Sequence, residues 1–259
     1  MRVAGWAALF VVFPGWAQTV TVVPSPAEGI ELLGSQSPDF RADVEAIVGT
    51  AAMPLIEPWL PFTVVVKNNS AQTLLAYNIR WTAGFTTSLG SLATTEAGGL
   101  KPGSMVVALA SSALLTGPPG PHQQASLAES QARSLAALQA APAATISLDS
   151  AVWVSGQFVG PDAGRNFERD AAEFTAWRAV ALDVQSQLAA GASFDGIAAV
   201  LSQMTNQPVG GSRASRDWNA QFRAGEAQRL LRIYQRGGGQ AVLDLIQQQL
   251  QQPEITIHR

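Results

Sequence analysis

Hydrophobic and polar positions follow two different periods along this chain, and the change falls in "VWVSGQFVGPDAGRNFERDAAEFTAW", Val152 to Trp177. Before it, the period is two. "TVTVV" (Thr19–Val23) alternates and is β-branched, which predicts a short strand. "PFTVVVKNNS" is an apolar run stopped by Asn68, Asn69 and Ser70, residues that favour turns. "TLLAYNIRWTA" sets Leu75, Tyr77, Ile79 and Trp81 against Ala76, Asn78, Arg80 and Thr82, as in a half-buried strand. "TTSLGSLATTEAGGLKPG" supplies turn residues and a weak strand, and "SMVVALAS" another strand. "ATISLDSAVWVSGQFVG" gives two more, with Ser155-Gly156 at a tight hairpin. Short strands joined by turns predict an antiparallel sandwich rather than β-α-β units.

Helical spacing marks the rest. "SPDFRADVEAIVG" has Ser37 at the N-cap, Pro38 at the first helical position and Gly49 past the end, with Phe40, Val44 and Ile47 on one face. After the junction, Phe167, Ala171, Phe174, Trp177, Ala181, Val184 and Leu188 recur at steps of three or four, predicting a long helix that ends at Gly191. "SFDGIAAVLSQM", "RDWNAQFRAGEAQRLLRIYQR" and "QAVLDLIQQQLQQ" are further helices, the last two separated by Gly237–Gly239. "PEITIHR" reads as a short edge strand or a frayed end. "TGPPGPHQQASLAESQARSLAALQAAP" is a Gly/Pro linker followed by an Ala-rich inserted helix or mobile loop. The expected organisation is a leader at 1–17, an N-terminal strand and short helix at 18–53, a β-sandwich at 54–162 with an insertion near 116–142, and a helical region at 163–259. The fold class expected is α+β: an antiparallel β-sandwich with a C-terminal helical region.

"VVVKNNSAQTLLAYNIRW", "LKPGS" and "ISLDSAVWVSGQFVGPD" together resemble exported bacterial proteins of uncharacterised function with an immunoglobulin- or fibronectin-like sandwich. The resemblance covers the middle of the chain only. It implies the sandwich and an exported habit, and it transfers no catalytic residue; the long Ala/Gln insertion departs from a compact sandwich.

Composition adds the compartment. Arg2 and the apolar "VAGWAALFVVF" precede "PGWAQ", with Gly15 and Ala17 at the small-residue positions before a cut ahead of Gln18. The apolar run is about 11 residues, against roughly 20 for a membrane span. A cleaved signal peptide is expected, giving an exported protein, periplasmic or extracellular, with no transmembrane segment in the mature chain. There is no cysteine, which excludes thiol catalysis and thiolate metal sites. Formal net charge is −3, so nothing forms a basic footprint for nucleic acid.

Candidate chemistry is sparse. Neither His122 nor His258 has a metal-ligand spacing, and H-E-x-x-H, G-x-S-x-G and phosphate-loop motifs are missing from the sequence. No cofactor and no metal is expected. A calcium loop started at Asp162 would place Asn166, Glu168 and Glu173 at positions 5, 7 and 12, but it meets Gly164 at position 3 and Phe167 where its glycine belongs. Asp162 is better read as a cap for the helix that follows. Asn68 heads an Asn-x-Ser triplet, nominally a glycosylation acceptor, here preferred as a strand-ending turn. Trp153 lies opposite Val152 and Val154 and is the one pointer to a partner surface. The leading expectation is a non-enzymatic binding or envelope-assembly module, with an envelope or extracellular protein as partner. The alternative is an exported hydrolase using carboxylate catalysis, with Asp149 and Asp162 flanking the hairpin. It requires a cleft between sheet and helices holding acidic residues of raised pKa.

Overall fold

A computed structural model describes residues 18–84, 86–93, 99–110, 121–205, 218–251 and 254–259, with backbone alone over 86–93 and 121–128. The expected leader at 1–17 and the Gly/Pro linker up to residue 120 lie outside the described residues. In chain order the first elements are β1 (Thr19–Val22), β2 (Ile30–Leu33), α1 (Phe40–Val48), α2 (Met53–Ile56) and a 3-10 helix, Glu57–Phe62. Next come β3 (Val64–Asn68), β4 (Leu74–Ala83), β5 (Thr86–Ala93), β6 (Met105–Ala108) and α3 (Pro121–Ala140). The rest is β7 (Ala143–Trp153), β8 (Phe158–Val159), α4 (Asn166–Ala189), α5 (Phe194–Thr205) and α6 (Trp218–Gln251).

The expected immunoglobulin-like β-sandwich is corrected by this arrangement. The architecture is mixed α/β, with helix over about 52% and strand over about 22% of the described residues. The strands form two small sheets. The larger runs β1-β7-β4-β5, with β8 also paired to β7; the smaller is β2-β3-β6. The larger sheet is mixed, because β1 lies parallel to β7, Thr19 opposite Ala143 and Val22 opposite Ile146. Alternation identified most strands but carries no information on which strand each pairs with. It also missed β2, a four-residue strand whose pattern is too short to register.

Both faces of the central strands are covered, which explains a second departure. Polar residues of β4 were expected to face water, yet nearly the whole strand is buried, Asn78 included. One face joins a core with Ile79, Trp81, Ile146 and Leu148, to which β3, α1, α2 and the 3-10 helix also contribute. The other face, at Leu75, Ala76 and Val152, is capped by Phe174 of α4 together with Phe158. Strands buried on both sides lose the polar-out alternation that a one-sided sheet shows. Trp153 is corrected for the same reason. It is 4% exposed and belongs to the first core, while Val152 lies in the cluster under α4.

The helices divide in two groups. α1 begins at Phe40 rather than at Pro38, with Gly49 after its end at φ 83°. The inserted segment is helical, as α3. The C-terminal helices have their own core: Val180, Ala181 and Val184 of α4 meet Ile197 and Leu201 of α5 and Ala227, Leu230, Val242 and Ile246 of α6. The expected break at Gly237–Gly239 is present: α6 is two helices that meet at a kink, where Gly238 has a non-helical φ of 71°.

The Asn-x-Ser triplet resolves into a buried turn. Asn68 donates from Nδ2 to the carbonyls of Gln72 (2.7 Å) and Leu100 (2.8 Å), and its Oδ1 accepts from Ser70 N and Oγ. Every polar atom of this side chain is used. Asn68→Ala is expected to cost about 2 kcal/mol in a urea titration, because two carbonyls lose their donor in a buried setting.

Candidate functional site

The junction at Val159–Asn166 is where sheet and helices are joined. Gly160 runs close over β7: a Cβ there would lie 2.6 Å from Asp149 O, and its φ of 115° disfavours any side chain. Asp162 N then donates to Asp149 O at 2.9 Å, and Asp162 and Arg165 both take left-handed φ values. The expected cap is present, since Asp162 Oδ1 accepts from the backbone N–H groups of Asn166 and Phe167 at the start of α4. Four residues of tight turn therefore set the exit angle of α4.

A bulge in β7 supplies the joint's side chains. Asn78 pairs with Ser150 and Ile79 with Leu148, which leaves Asp149 unmatched. Bulges re-aim side chains, and here two consecutive polar residues, Asp149 and Ser150, are both buried. Asp149 Oδ2 accepts from Asn166 Nδ2 (2.7 Å) and Gly164 N (3.0 Å), and its Oδ1 lies 3.7 Å from Arg80 Nη1. Asn78 Nδ2 donates to Ser150 Oγ (2.8 Å) and to Asp170 Oδ2 (2.9 Å). Arg169 closes the ring, donating from Nη2 to Asn78 Oδ1 and from Nε and Nη2 to Asp170 Oδ1. A buried network of this kind holds one geometry when its members are satisfied, and loses heavily when one is removed.

One turn further along α4 the balance of charge changes. Glu173 is half-buried and makes no hydrogen bond or ion pair among the described residues, where the neighbouring cations are engaged elsewhere. Arg169 is committed to Asp170 and Asn78. On α6, Arg229 is committed to Glu226 through two bonds of 2.8 Å, and Glu226 also accepts from Gln249. Burial, then the charge of Asp170, pushes the Glu173 carboxyl up to about 7, with Glu226 adding to the effect. Burial also raises Asp170, against the pull of Arg169.

Among the described residues, two grooves bear on the question. One, of about 350 Å³, is lined by Ile47, Val48, Ala52, Leu55, Ile56, Val106 and Val107, between α1, α2 and β6. The other, of about 220 Å³, lies between α4 and the segment Glu254–Arg259, with Phe174, Trp177, Arg178 and Leu182 along it. Asp170 and Glu173 line neither.

Of the residues singled out from sequence, Trp153 is in the core, and Asp149 and Asp162 are spent on fixing α4. Asn166, Glu168 and Glu173 do not converge on Asp162 as a calcium loop would; among the described residues no group of three or more acidic or histidine side chains is placed to hold a metal. Asn78, Ser150, Arg169 and Asp170 were missed. The signal available was the adjacent polar pair in "ISLDSAVW", which breaks the strand's alternation. No described helix is long and apolar enough to cross a membrane. Comparison with known proteins returned no matching family model, no matching curated protein and no matching solved structure.

Proposed function

We propose that the protein is an exported, non-enzymatic module that binds a partner protein of the envelope or the extracellular space. The observation that carries the reading is the groove between α1, α2 and β6. All seven lining residues are apolar, and Leu55 stands at its edge 66% exposed. An apolar concavity left open to water favours association with another apolar surface. The buried polar groups of the joint, by contrast, are turned on one another. Export is supported by the apolar stretch and small-residue motif before Gln18. Crosslinking in the native host, then mass spectrometry of what accompanies the chain, is expected to retrieve one envelope or extracellular protein reproducibly. Leu55→Asp should cut that recovery about tenfold, an effect of ~1.4 kcal/mol. A monomer that retrieves nothing overturns the reading.

A further inference from the structure

The segment Glu254–Arg259 runs beside the β7–β8 hairpin and is joined to it by one isolated β-bridge. Phe158 N donates to His258 O (2.7 Å), His258 N donates to Gly156 O (2.9 Å), and Gln157 pairs with His258 in parallel. Gly156 makes the approach possible: a Cβ there would sit 2.3 Å from Thr256 O. Every second side chain of the segment faces the body. Ile255 and Ile257 pack on the cluster of Leu75, Val152, Phe158 and Phe174. Arg259 reaches Asp162 Oδ2 at 2.6 Å, with its guanidinium 4.8 Å from the Phe167 ring centre and 5.8 Å from that of Phe158. The two rings meet edge-on at 5.2 Å and form one aromatic platform.

This is the anatomy of strand addition: main-chain bonds for affinity and alternate pockets for specificity. The slot reads aliphatic, aliphatic and cationic at positions i, i+2 and i+4. The occupant's last anchor is open to water on one side: Arg259 is 65% exposed, against 8% for its partner Asp162. Beside Ile255 the groove of about 220 Å³ is left unfilled.

We propose that this slot is a second recognition surface, for an extended partner segment with aliphatic or aromatic residues at i and i+2 and Arg or Lys at i+4, and that Glu254–Arg259 covers it in the free protein. The inference rests on the binding-module reading and extends it from the α1–α2 groove to the β7–β8 hairpin beside α4. A partner with a larger apolar side chain at the Ile255 position fills the unfilled groove and displaces the chain's own segment.

The test keeps the full chain and weakens the covering segment in place, with Ile257→Ser and Arg259→Ala together. The probe is a fluorescent peptide of sequence EITIHR, read by anisotropy. The double variant is expected to bind it at least about tenfold more tightly than the unaltered chain. A peptide with phenylalanine at the first aliphatic position should bind tighter still, and one ending in glutamate should lose about tenfold. Equal binding by both chains, with circular dichroism unchanged, overturns the proposal; so does indifference to the terminal charge. The phenylalanine and glutamate changes sit in the peptide, so a folding defect of the double variant cannot imitate their effect. If the peptide fails while crosslinking through the α1–α2 groove succeeds, the slot falls and the binding-module reading stands. If the peptide binds and crosslinking retrieves nothing, the slot stands and the envelope reading falls.

Discussion

Asp149→Ala is expected to destabilise the protein by about 3–4 kcal/mol, the cost typical of removing one partner from a buried charged contact. The carboxylate is 1% exposed. Its loss leaves Asn166 Nδ2 and Gly164 N without their acceptor and Arg80 without its counter-charge. Each buried donor so orphaned costs about 1–3 kcal/mol. Asp149→Asn separates the parts. It keeps one acceptor for the donors and loses the charge opposite Arg80, so it should cost roughly half as much by the same reasoning. Urea denaturation followed by tryptophan fluorescence measures both. If Asp149→Ala costs less than about 1 kcal/mol, the typical net worth of one hydrogen bond, the joint does not hold α4 to the sheet.

The same variant bears on function. Asp162, which meets Arg259, is positioned by its own N–H on Asp149 O and by the start of α4. Loosening α4 therefore loosens the slot for the closing segment. Peptide binding should weaken in Asp149→Asn although Asp149 lies on the other side of the turn. The joint and the slot share one short piece of chain, residues 160–167, through which sheet, helix and docking edge are connected.

How far this was legible in the sequence differs by element. α4 was readable because its apolar stripe from Phe167 to Leu188 keeps helical spacing throughout, and its cap, Asp162, is local. The strands from β3 to β7 were readable as strands because β-branched and alternating runs are themselves local. Pairing was not: β1 joins β7 across more than a hundred residues, and nothing in "TVTVV" records a parallel partner. Trp153 failed because alternation assigns faces but not what covers them. Once Phe174 of α4 caps the Val152 face, the strand has no wet side. The joint was hidden for a further reason. Asn78, Asp149 and Asp170 are distant in sequence and become one network only through a bulge that places Asp149 out of register. Within "LDS" the two adjacent polar residues were visible; that both turn inward depends on the partner strand.

Glu173→Gln should remove a pH dependence that the unaltered protein carries between about 4.5 and 7. The folded carboxyl titrates near 7, the unfolded one near 4.5. In that window the folded state holds the proton and the unfolded state does not, so stability falls as pH rises. The favourable term is fully present below about 4.5 and gone above about 7. Burial sets the direction; of the groups facing Glu173, Asp170 from α4 and Glu226 from α6, already held by Arg229, push the same way, and Arg169 pulls against them. Once ionised, Glu173 is a third carboxylate with no free cation beside it among the described residues, at the contact that docks α6 on α4. Each pKa unit converts to ~1.4 kcal/mol; discounting for the solvent that reaches this half-buried side chain, the loss between pH 5 and pH 8 is on the order of 2 kcal/mol. The glutamine variant keeps the shape and cannot ionise, so it should equal the unaltered protein near pH 4.5 and exceed it at pH 8 by that amount. Asp170, raised in the same direction, contributes to both proteins and cancels in the comparison. Urea titrations of the two at pH 5, 6, 7 and 8 decide the matter: diverging stabilities place the titration at Glu173, whereas parallel ones show that the α4–α6 contact carries no such charge.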